Sequence, residues 1–294
     1  MGKTVIISGV DGFLGGKITK CLLRETDFDI LGLTRSPDLP ERMLEREKIT
    51  QNDRLCFMEN REFFNRNSLH GDIYGAVHLA FSRRMQPAAS IASSLDFAAE
   101  FFHKLAEMDA DRVINMSSQG VYGNTREIRK ENTPPAPETP YTMAKYASEV
   151  LFRNIMADVP HHTSFRLDPV VQSQNVIRGL CRSAKEGEIN LRGGSQVFSF
   201  IDADDVGEAV VRMLRCEGDW DKVYNVGWTN RRYTLTELAE MIAEAAGQNG
   251  FKRPRINLEK SDIELWAGMD STRFMRKTGW KPFTHLGQSI DALF

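Results

Sequence analysis

A phenol and an ammonium group lie four residues apart at Tyr141 and Lys145. If this segment is helical, residues at this spacing lie on the same face of the helix. A tyrosine is a poor base at neutral pH because its ordinary pKa is near 10, and a neighbouring lysine cation favours the phenolate. Ser118 adds a hydroxyl that can hold a substrate oxygen. We therefore predict acid–base catalysis at a carbonyl or alcohol carbon, with Ser118, Tyr141 and Lys145 as the catalytic residues.

Three glycines at regular spacing, Gly9, Gly12 and Gly15, follow the first apolar run of the chain and precede the first helical pattern. A turn without Cβ atoms lets backbone N–H groups and the positive end of a helix approach a pyrophosphate. Because the glycines stand between a strand and a helix, we predict a dinucleotide site that also involves Phe13 and Leu14. The alternative is a turn that serves only close packing of strand and helix.

The end of the second predicted strand reads Thr34-Arg35-Ser36. NAD-binding folds of this kind place a carboxylate there to bind the adenosine ribose, and such a group would repel the 2'-phosphate of NADP. Arg35 can instead hold that phosphate with two N–H groups, while Thr34 and Ser36 can donate their hydroxyls. We expect NADP(H) rather than NAD(H); alternatively, Arg35 stacks on the adenine or stays in solvent.

These residues require a scaffold, and strands alternating with helices over the first two thirds of the chain predict a parallel sheet with helices on both faces. The strands are expected at 4–8, 30–34, 55–58, 76–80, 112–116, 163–167 and 197–201, and the longest helices at 90–108 and 141–157. The expected fold class is α/β, a Rossmann-type doubly wound parallel sheet with a smaller, mostly C-terminal α/β lobe for the substrate. Residues 1–168 would form the nucleotide-binding domain and 169–294 the lobe, with 223–227 able to return to the main sheet.

Composition limits the partners of the chain. Its 294 residues include 38 Lys and Arg and 40 Asp and Glu, for a net charge of −2, and no basic run is long enough to bind nucleic acid. No apolar run approaches the roughly 18 residues that span a bilayer, and the charge-rich segment 38–48 indicates a solvated helix. The four cysteines and six histidines lack metal-ligand spacing, so no metal is expected. We expect a cytoplasmic protein without membrane or nucleic-acid partners.

Together the motifs resemble the extended short-chain dehydrogenase/reductases of the NAD(P)-dependent epimerase/dehydratase family. The resemblance extends over almost the whole chain and is carried by six segments. These are Gly9–Gly15, His78–Ala80, Ser117–Gly123, Pro140–Lys145, Phe200–Val206 and Tyr224–Gly227.

This resemblance assigns roles to individual residues. It implies that Ser118, rather than Ser117, is the catalytic hydroxyl, that Ala80 borders the cofactor, and that Lys145, beside Tyr141, bonds the nicotinamide ribose. It also implies substrates that are sugars attached to nucleoside diphosphates. Finally, it implies a homodimer that pairs the two longest predicted helices of each chain.

The chain departs from the family's pattern at three places. Gln119-Gly120 stands where the 4,6-dehydratases have an Asp-Glu pair, so dehydration loses its acid and base. Pro169 replaces a frequent asparagine, and Phe198 replaces a frequent arginine that binds the nucleotide pyrophosphate. Besides Ser118, the candidate substrate contacts are therefore Gln119 and arginines of the second half, which could equally be solvated: Arg178, Arg192, Arg231 and Arg232.

The residues and the resemblance lead to one expected activity and two alternatives. We expect an oxidoreductase that transfers a hydride between NADP(H) and a keto or hydroxyl carbon of a sugar, in particular a reductase of a nucleotide-linked keto-sugar. A nucleotide-sugar 4-epimerase would use the same tyrosine and show no net change of cofactor. A non-catalytic protein that senses NADP would retain the fold without turnover.

Overall fold

The computed structural model describes residues 2–50, 52–69, 72–82, 85–229 and 231–294. The strands are β1 (Lys3–Ser8), β2 (Asp29–Thr34), β3 (Leu55–Glu59), β4 (Asp72–His78), β5 (Arg112–Ser118), β6 (His161–Leu167), β7 (Glu188–Arg192), β8 (Val197–Phe198), β9 (Val223–Val226), β10 (Tyr233–Thr234) and β11 (Arg255–Glu259). The helices are α1 (Phe13–Glu25), α2 (Leu39–Glu47), α3 (Asn60–Asn65), α4 (Ala88–Glu107), α5 (Pro140–Ile155), α6 (Asn175–Glu186), α7 (Ala203–Leu214), α8 (Leu235–Gln248), α9 (Thr272–Thr278) and α10 (Leu286–Asp291).

Seven strands form one parallel sheet in the order β3-β2-β1-β4-β5-β6-β9. Val5, Ile6 and Ile7 of β1 are fully buried, as is typical of parallel strands that helices cover on both faces. After β3 the chain crosses to the other side of β1, so the direction of strand order reverses between β1 and β4. Ligands of such sheets bind at this reversal, beyond the carboxyl ends of the strands. The Rossmann-type doubly wound fold that we predicted from the sequence is confirmed.

Helices pack on both faces of this sheet through apolar side chains. On one face α1 packs against α7, where Ile18 and Val210 belong to the same buried cluster. On the other face α4 packs against α5, and the rings of Phe102 and Phe152 lie 4.7 Å apart. Helix α5 also packs against β5, the strand that ends at Ser118.

A second, smaller core lies between α6 and α8, with Ile177, Leu180, Leu238 and Ile242 buried in it. Two short sheets accompany it, β7 with β11 in parallel and β8 with β10 antiparallel. The strand that we predicted over 197–201 comprises only Val197–Phe198, because β10 is itself two residues long and offers no further partner.

The two cores do not divide the chain at one point. Within 169–294, the range predicted for the lobe, α7 packs on α1, and β9 pairs in parallel with β6 at the edge of the main sheet. We had expected that 223–227 could return to the main sheet, and β9 (Val223–Val226) lies in that sheet beside β6. After β6 the chain thus contributes α6 to the smaller core. It then returns to the main sheet with α7, which packs on α1, and with β9, which pairs with β6.

Three further observations concern possible partners. Within the described ranges, no helix is both long and apolar enough to cross a membrane. Cys21, Cys56, Cys181 and Cys216 are free thiols. No group of three or more His, Cys, Asp or Glu side chains that could hold a metal ion occurs among the described residues.

Candidate functional site

The predicted catalytic and cofactor residues lie at the carboxyl-terminal ends of the strands of the main sheet. Gly9 follows β1, Ala80 follows β4 by two residues, and Ser118 ends β5. Because these strands are parallel, their carboxyl ends meet at the same edge. Helix α5, which carries Tyr141 and Lys145, packs against β5. The fold therefore brings together residues that are distant in the sequence.

The glycine turn forms a cradle that side chains would fill. Gly9 has a φ of +71°, and a Cβ there would lie 2.9 Å from the Ala80 nitrogen. A Cβ on Gly15 would lie 2.2 Å from the Gly9 carbonyl oxygen. Gly12 donates its N–H to that same oxygen (3.0 Å) and precedes α1 without a side chain that could cap the helix. The first N–H groups of α1 can therefore bind an anion, and the turn fits the pyrophosphate of a dinucleotide.

The end of β4 is fastened to the end of β1 beside this turn. Ser8 Oγ lies 2.8 Å from His78 Nδ1 and accepts the backbone N–H groups of Leu79 (3.2 Å) and Ala80 (3.4 Å). Burial and then the charge of Lys145 lower the pKa of His78 to about 3. His78 is therefore neutral at physiological pH, and its hydrogen bond helps to fix the Ser8 hydroxyl that holds Leu79 and Ala80.

The other predicted cofactor residues lie at the start of α1 and the end of β2. Phe13 and Leu14 open α1, and their half-buried side chains pack on the main core. Thr34 Oγ1 donates to the Ser36 carbonyl (3.0 Å), which holds the chain in a tight turn after β2. Arg35, between them, is exposed to solvent and can reach a ligand at this edge.

Helix α5 begins with a capping box that fixes the position of Tyr141. Thr139 Oγ1 accepts the Thr142 N–H (3.2 Å), while Thr142 Oγ1 accepts the Thr139 N–H (3.0 Å). Pro140 takes the first helical position, where its missing N–H is not needed. Tyr141 thus lies in the first turn of a well-defined helix, with Lys145 one turn further on.

Lys145 is held in a buried position between α5 and β5. Its Nζ donates to the Met116 carbonyl at 2.7 Å and lies 4.0 Å from the centroid of the Phe81 ring. The same ring meets Tyr141 edge to face, with 6.2 Å between centroids. Burial lowers the pKa of Lys145 from its ordinary value near 10.5 to about 7, although the charge of Glu149 opposes this shift.

The two serines at the end of β5 have different surroundings. Ser117 is buried and donates to the carboxylate of Glu149, which also pairs with the buried Arg166 at 2.6 Å. Ser118 Oγ accepts the Gly120 N–H (3.1 Å), and its side chain is half-buried. Ser118 can therefore still donate its own proton to a substrate oxygen, which favours it over Ser117 as the catalytic hydroxyl.

Gln119 links the site to the second half of the chain. Its Nε2 donates to Ser199 Oγ (3.4 Å) and its Oε1 accepts the Gly268 N–H (3.3 Å), so the amide is buried and engaged on both sides. Ser199 in turn donates to Asp168 Oδ1 (2.8 Å) at the end of β6. Burial raises the pKa of Asp168 to about 7, against the hydrogen bonds from Ser199 and the Trp228 backbone.

The arginines that we predicted as substrate contacts lie in different surroundings. Arg178 is exposed on α6. Arg192 is exposed on β7 and pairs with Glu259 of β11 at 3.5 Å. Arg231 stacks on Trp228, with 5.2 Å between its guanidinium carbon and the ring centroid. Among these three, Arg231 is the one that contacts Trp228, and the Trp228 backbone is hydrogen-bonded to the Asp168 carboxyl.

Our sequence analysis did not single out three residues near the site: Phe81, Arg129 and Asp168. It named Arg232 as one of four candidate arginines. Phe81 follows the His78–Ala80 motif directly, so its proximity to the cofactor could have been noticed. Arg129, Arg232 and Asp168 stand out because polar groups of these side chains are buried. The burial of a polar residue cannot be predicted from a single sequence.

Comparisons with known proteins show the family to which the chain is similar. A model of the NAD dependent epimerase/dehydratase family matches residues 5–227. A low-salt glycan biosynthesis protein of Haloferax volcanii is 24% identical over 306 residues, which cover 98% of this chain and 96% of the relative. The dTDP-4-dehydro-6-deoxyglucose reductase of Escherichia coli is 26% identical over 321 residues, with 98% and 96% covered. A dTDP-glucose 4,6-dehydratase of Xanthomonas campestris is 27% identical over 207 residues, with 62% and 56% covered.

Solved structures share the same architecture. The UDP-glucuronic acid 4-epimerase of Bacillus cereus, in complex with UDP-glucuronic acid and NAD, superposes with a TM-score of 0.81 at 18% identity, and the match covers 98% of this chain and 97% of that chain. The UDP-glucose 4-epimerase of Thermotoga maritima, with UDP-glucose, gives a TM-score of 0.80 at 20% identity, with 98% and 96% covered. At these identities the similarity establishes the fold.

Proposed function

Because the chain belongs to the NAD dependent epimerase/dehydratase family, whose members are enzymes of the short-chain dehydrogenase/reductase type, we propose that it is an NADP(H)-dependent reductase of a keto group on a nucleotide-linked sugar. The observation that carries this proposal is the joint position of Ser118, Tyr141 and Lys145 beside the glycine turn. That turn would hold the dinucleotide through Gly9, Gly12 and the first N–H groups of α1.

The residues of the site have complementary tasks in such a reduction. When bound, the dinucleotide supplies the hydride. The Ser118 hydroxyl donates a hydrogen bond to the carbonyl oxygen and orients it. The phenol of Tyr141 gives its proton to that oxygen, and the Lys145 ammonium stabilises the phenolate that remains. The carbonyl carbon gains the hydride and its oxygen the proton, so the product is an alcohol.

Reduction fits the residues better than dehydration does. Elimination of water requires an acid and a base beside the catalytic serine, and this chain has Gln119 and Gly120 there. The Gln119 amide is neutral, and its nitrogen and oxygen are already hydrogen-bonded to Ser199 and Gly268. It therefore cannot serve as the acid or the base. The E. coli relative of similar length is a reductase of a dTDP-linked keto-sugar, which supports the same reaction type.

The end of β2 supports NADP(H) as the cofactor. Arg35 is exposed there between two hydroxyl-bearing residues, Thr34 and Ser36. A planar guanidinium binds a phosphate group through two parallel N–H bonds, and the Ser36 hydroxyl can add a further bond. The Thr34 hydroxyl is buried and donates to the Ser36 carbonyl, so its contribution is to hold this turn. Several solved neighbours contain NAD, so the preference rests on these side chains alone.

A stoichiometric assay tests the proposed reaction. Purified protein is incubated with NADPH and a panel of UDP- and dTDP-linked 4-keto-sugars, and both NADPH loss and sugar products are measured. We expect one NADPH to be consumed for each alcohol formed. Interconversion of sugars without net consumption of NADPH would make the protein an epimerase. Binding of the cofactor without turnover of any sugar on the panel would favour a non-catalytic role as an NADP sensor.

We also propose that the protein is a homodimer. Helices α4 and α5 pack side by side, and Met143 of α5 remains 52% exposed although it is apolar. Pairing of these helices between two chains would cover such side chains. Light scattering coupled to size-exclusion chromatography would give about twice the mass of one chain, and the mass of a single chain would refute the proposal.

A further inference from the structure

Arg46 connects helix α2 to the glycine turn. Its Nη2 donates to the Gly12 carbonyl at 2.8 Å, and its Nη1 donates to the Asp11 carbonyl at 3.3 Å. Its Nε donates to Glu47 Oε1 at 2.7 Å, so all three nitrogens of the guanidinium are hydrogen-bonded. Both carbonyl groups belong to the segment between β1 and α1 that we predict to hold the dinucleotide. A side chain of α2 therefore contacts the backbone of the cofactor site.

Glu47 holds the guanidinium of Arg46 in place. The Glu47 side chain is buried although it carries a charge, and its second carboxylate oxygen lies 3.7 Å from Lys17 Nζ of α1. Lys17 in turn lies 3.4 Å from the carboxylate of Asp204 in α7. Buried charges occur in proteins where they are paired, and Glu47 has a cation on each side. It therefore keeps Arg46 and Lys17 together beside the start of α1.

Gly16 makes room for this arrangement. It lies inside α1, where glycine is less favourable than alanine, and it is not one of the three regularly spaced glycines of the turn. A Cβ at this position would lie 2.7 Å from Arg46 Nη2 and 2.9 Å from Glu47 Cγ. The close approach of α2 to α1 therefore requires a residue without a side chain here. Gly16 and Arg46 are thus parts of one contact.

The bonds from Arg46 determine which way the peptide groups of the turn face. In a planar trans peptide the C=O and the N–H point in opposite directions. The Gly12 carbonyl shares its peptide group with the N–H of Phe13, the first residue of α1. The first N–H groups of a helix have no partner inside the helix, so this one is a donor for a ligand. Because Arg46 holds the Gly12 carbonyl, the Phe13 N–H points away from Arg46.

We propose that Arg46 is a positioning residue of the cofactor site: by holding the Gly12 carbonyl it orients the Phe13 N–H toward the diphosphate of the dinucleotide. This role rests on the proposed function for the dinucleotide as ligand, and it does not depend on the sugar. The positive guanidinium also polarises the carbonyl, which makes the N–H of the same peptide group a stronger donor. Arg46 thus acts through the backbone, whereas we expect Arg35 to contact the 2'-phosphate directly.

Titration of the purified protein with NADPH and with NADH, followed by nicotinamide fluorescence, tests this role. Both dinucleotides contain the diphosphate, so Arg46→Gln should weaken them by the same factor, roughly tenfold, as expected when a hydrogen bond to a charged group is weakened. Arg46→Lys keeps the charge but loses the planar fork, and should give intermediate affinities. The matched control is Arg42→Gln, at an exposed position of the same helix, which should bind like the wild type. A loss confined to NADPH would mean that Arg46 contacts the 2'-phosphate and would overturn the positioning role.

A double variant separates positioning from a general role in packing. Gly16→Ala removes no charge, but its Cβ forces the Arg46 guanidinium to move, so NADPH should bind less tightly than to the wild type. If both substitutions act through the same contact, Gly16→Ala should cause little further loss in the Arg46→Gln background. Two losses of affinity that multiply would show independent disturbances of packing and would overturn the proposal. Should Gly16→Ala fail to fold, the comparison of Arg46→Gln with Arg46→Lys decides.

Failure of this role can be told apart from failure of the proposed function, because binding is measured without a sugar. If Arg46→Gln weakens both dinucleotides but the wild type reduces no nucleotide-linked sugar, the positioning role stands and the reductase assignment falls. If the wild type reduces such a sugar and Arg46→Gln binds NADPH equally well, the reductase stands and the positioning role falls. A wild type that binds neither dinucleotide refutes both.

Discussion

The ammonium of Lys145 lies 4.0 Å from the centroid of the Phe81 ring, a cation–π contact at the centre of the site. The position of Phe81 is fixed from both sides. The preceding residue, Ala80, donates to Ser8, and the following residue, Ser82, donates its N–H to Ser94 Oγ at 2.9 Å. One aromatic ring therefore covers the lysine and also contacts Tyr141, the proposed proton donor.

The Phe81 ring has two opposing effects on Lys145: its cation–π contact favours the ammonium, whereas its part in the burial of Lys145 disfavours it. Burial is the larger effect, since the pKa of Lys145 is lowered to about 7, so we expect Phe81→Ala to raise this pKa by letting water reach the ammonium. The charge of Glu149 acts on Lys145, Tyr141 lies one helical turn before it in α5, and His78, on which Lys145 acts, is neutral above a pH of about 3. Catalysis requires the charged lysine, so kcat/KM for the cofactor should fall as pH rises through this pKa. The alkaline limb should move to higher pH by roughly one unit in Phe81→Ala.

The matched control for that measurement is Phe81→Leu, which keeps an apolar cover over the ammonium but loses the cation–π contact, so its alkaline limb should not move to higher pH. Equal alkaline limbs in wild type and Phe81→Ala would show that the ring does not control the charge of Lys145. A uniform loss of kcat/KM at all pH values would indicate only a packing role.

Replacement of Tyr141 by phenylalanine removes the proposed proton donor without changing the ring. We expect kcat to fall by a factor on the order of 10² to 10⁴, the usual contribution of acid–base catalysis, while the affinity for NADPH changes by no more than a few fold. Tyr146→Phe is the control, because Tyr146 lies on the same helix but packs against a separate small cluster with Val121 and Met269. Near-wild-type turnover in Tyr141→Phe would remove the basis of the mechanism.

The parts of the site that could be predicted from the sequence are those carried by short contiguous patterns. The glycine turn requires residues without a Cβ between a strand and a helix, and Tyr141 and Lys145 share a face because their spacing matches the helical repeat. Such local constraints are visible in one chain without an alignment. They also predicted the order of strands and helices, which fixes the doubly wound sheet.

The remaining features depend on contacts between distant segments. Asp168 and Ser199 become important only because they meet in the interior of the protein. The charge-rich segment 38–48, for which we predicted a solvated helix, does form α2 but buries Met43 and Glu47. Arg46 of that helix donates to the Gly12 carbonyl at 2.8 Å, a contact that no local pattern predicts.

The glycine turn offers a test with an internal control. In Gly15→Ala the new Cβ would lie 2.2 Å from the Gly9 carbonyl oxygen. This distance is too short for two non-bonded atoms, so the turn must shift. We expect the affinity for NADPH to fall at least tenfold, together with a lower melting temperature. Gly179→Ala, in α6, meets nothing within 4 Å and should stabilise the protein by up to about 1 kcal/mol, since alanine favours helix. Equal affinities for NADPH in Gly15→Ala and wild type would contradict the predicted cofactor site.

The cofactor preference depends on one exposed arginine. Arg35→Ala should weaken NADPH by about 10- to 100-fold, the range expected when charge-assisted hydrogen bonds to a phosphate are lost. The affinity for NADH, which has no 2'-phosphate, should change little. Arg42→Ala, at an exposed position on the neighbouring helix, controls for the general loss of a positive charge. A wild type that binds NADH more tightly than NADPH, or an Arg35→Ala variant that weakens both equally, would refute the assignment.

The carboxyl of Asp168 provides a prediction about stability rather than catalysis. Burial raises its pKa to about 7 in the folded protein, against an ordinary value near 3.8, so between these values the folded state binds more protons than the unfolded state. The contribution of Asp168 to stability is therefore fully present at acid pH and is lost as pH rises through 7.

Asp168→Asn stays neutral at every pH and keeps a carbonyl oxygen for the bond from Ser199. The quantity to measure is the melting temperature of Asp168→Asn minus that of the wild type. We expect this difference to be larger at pH 8 than at pH 5 by roughly 2 to 6 °C. Since Asp205 also has a raised pKa, only the difference between the two proteins isolates Asp168. A difference that does not change with pH would mean that Asp168 is ionised in the folded state at neutral pH.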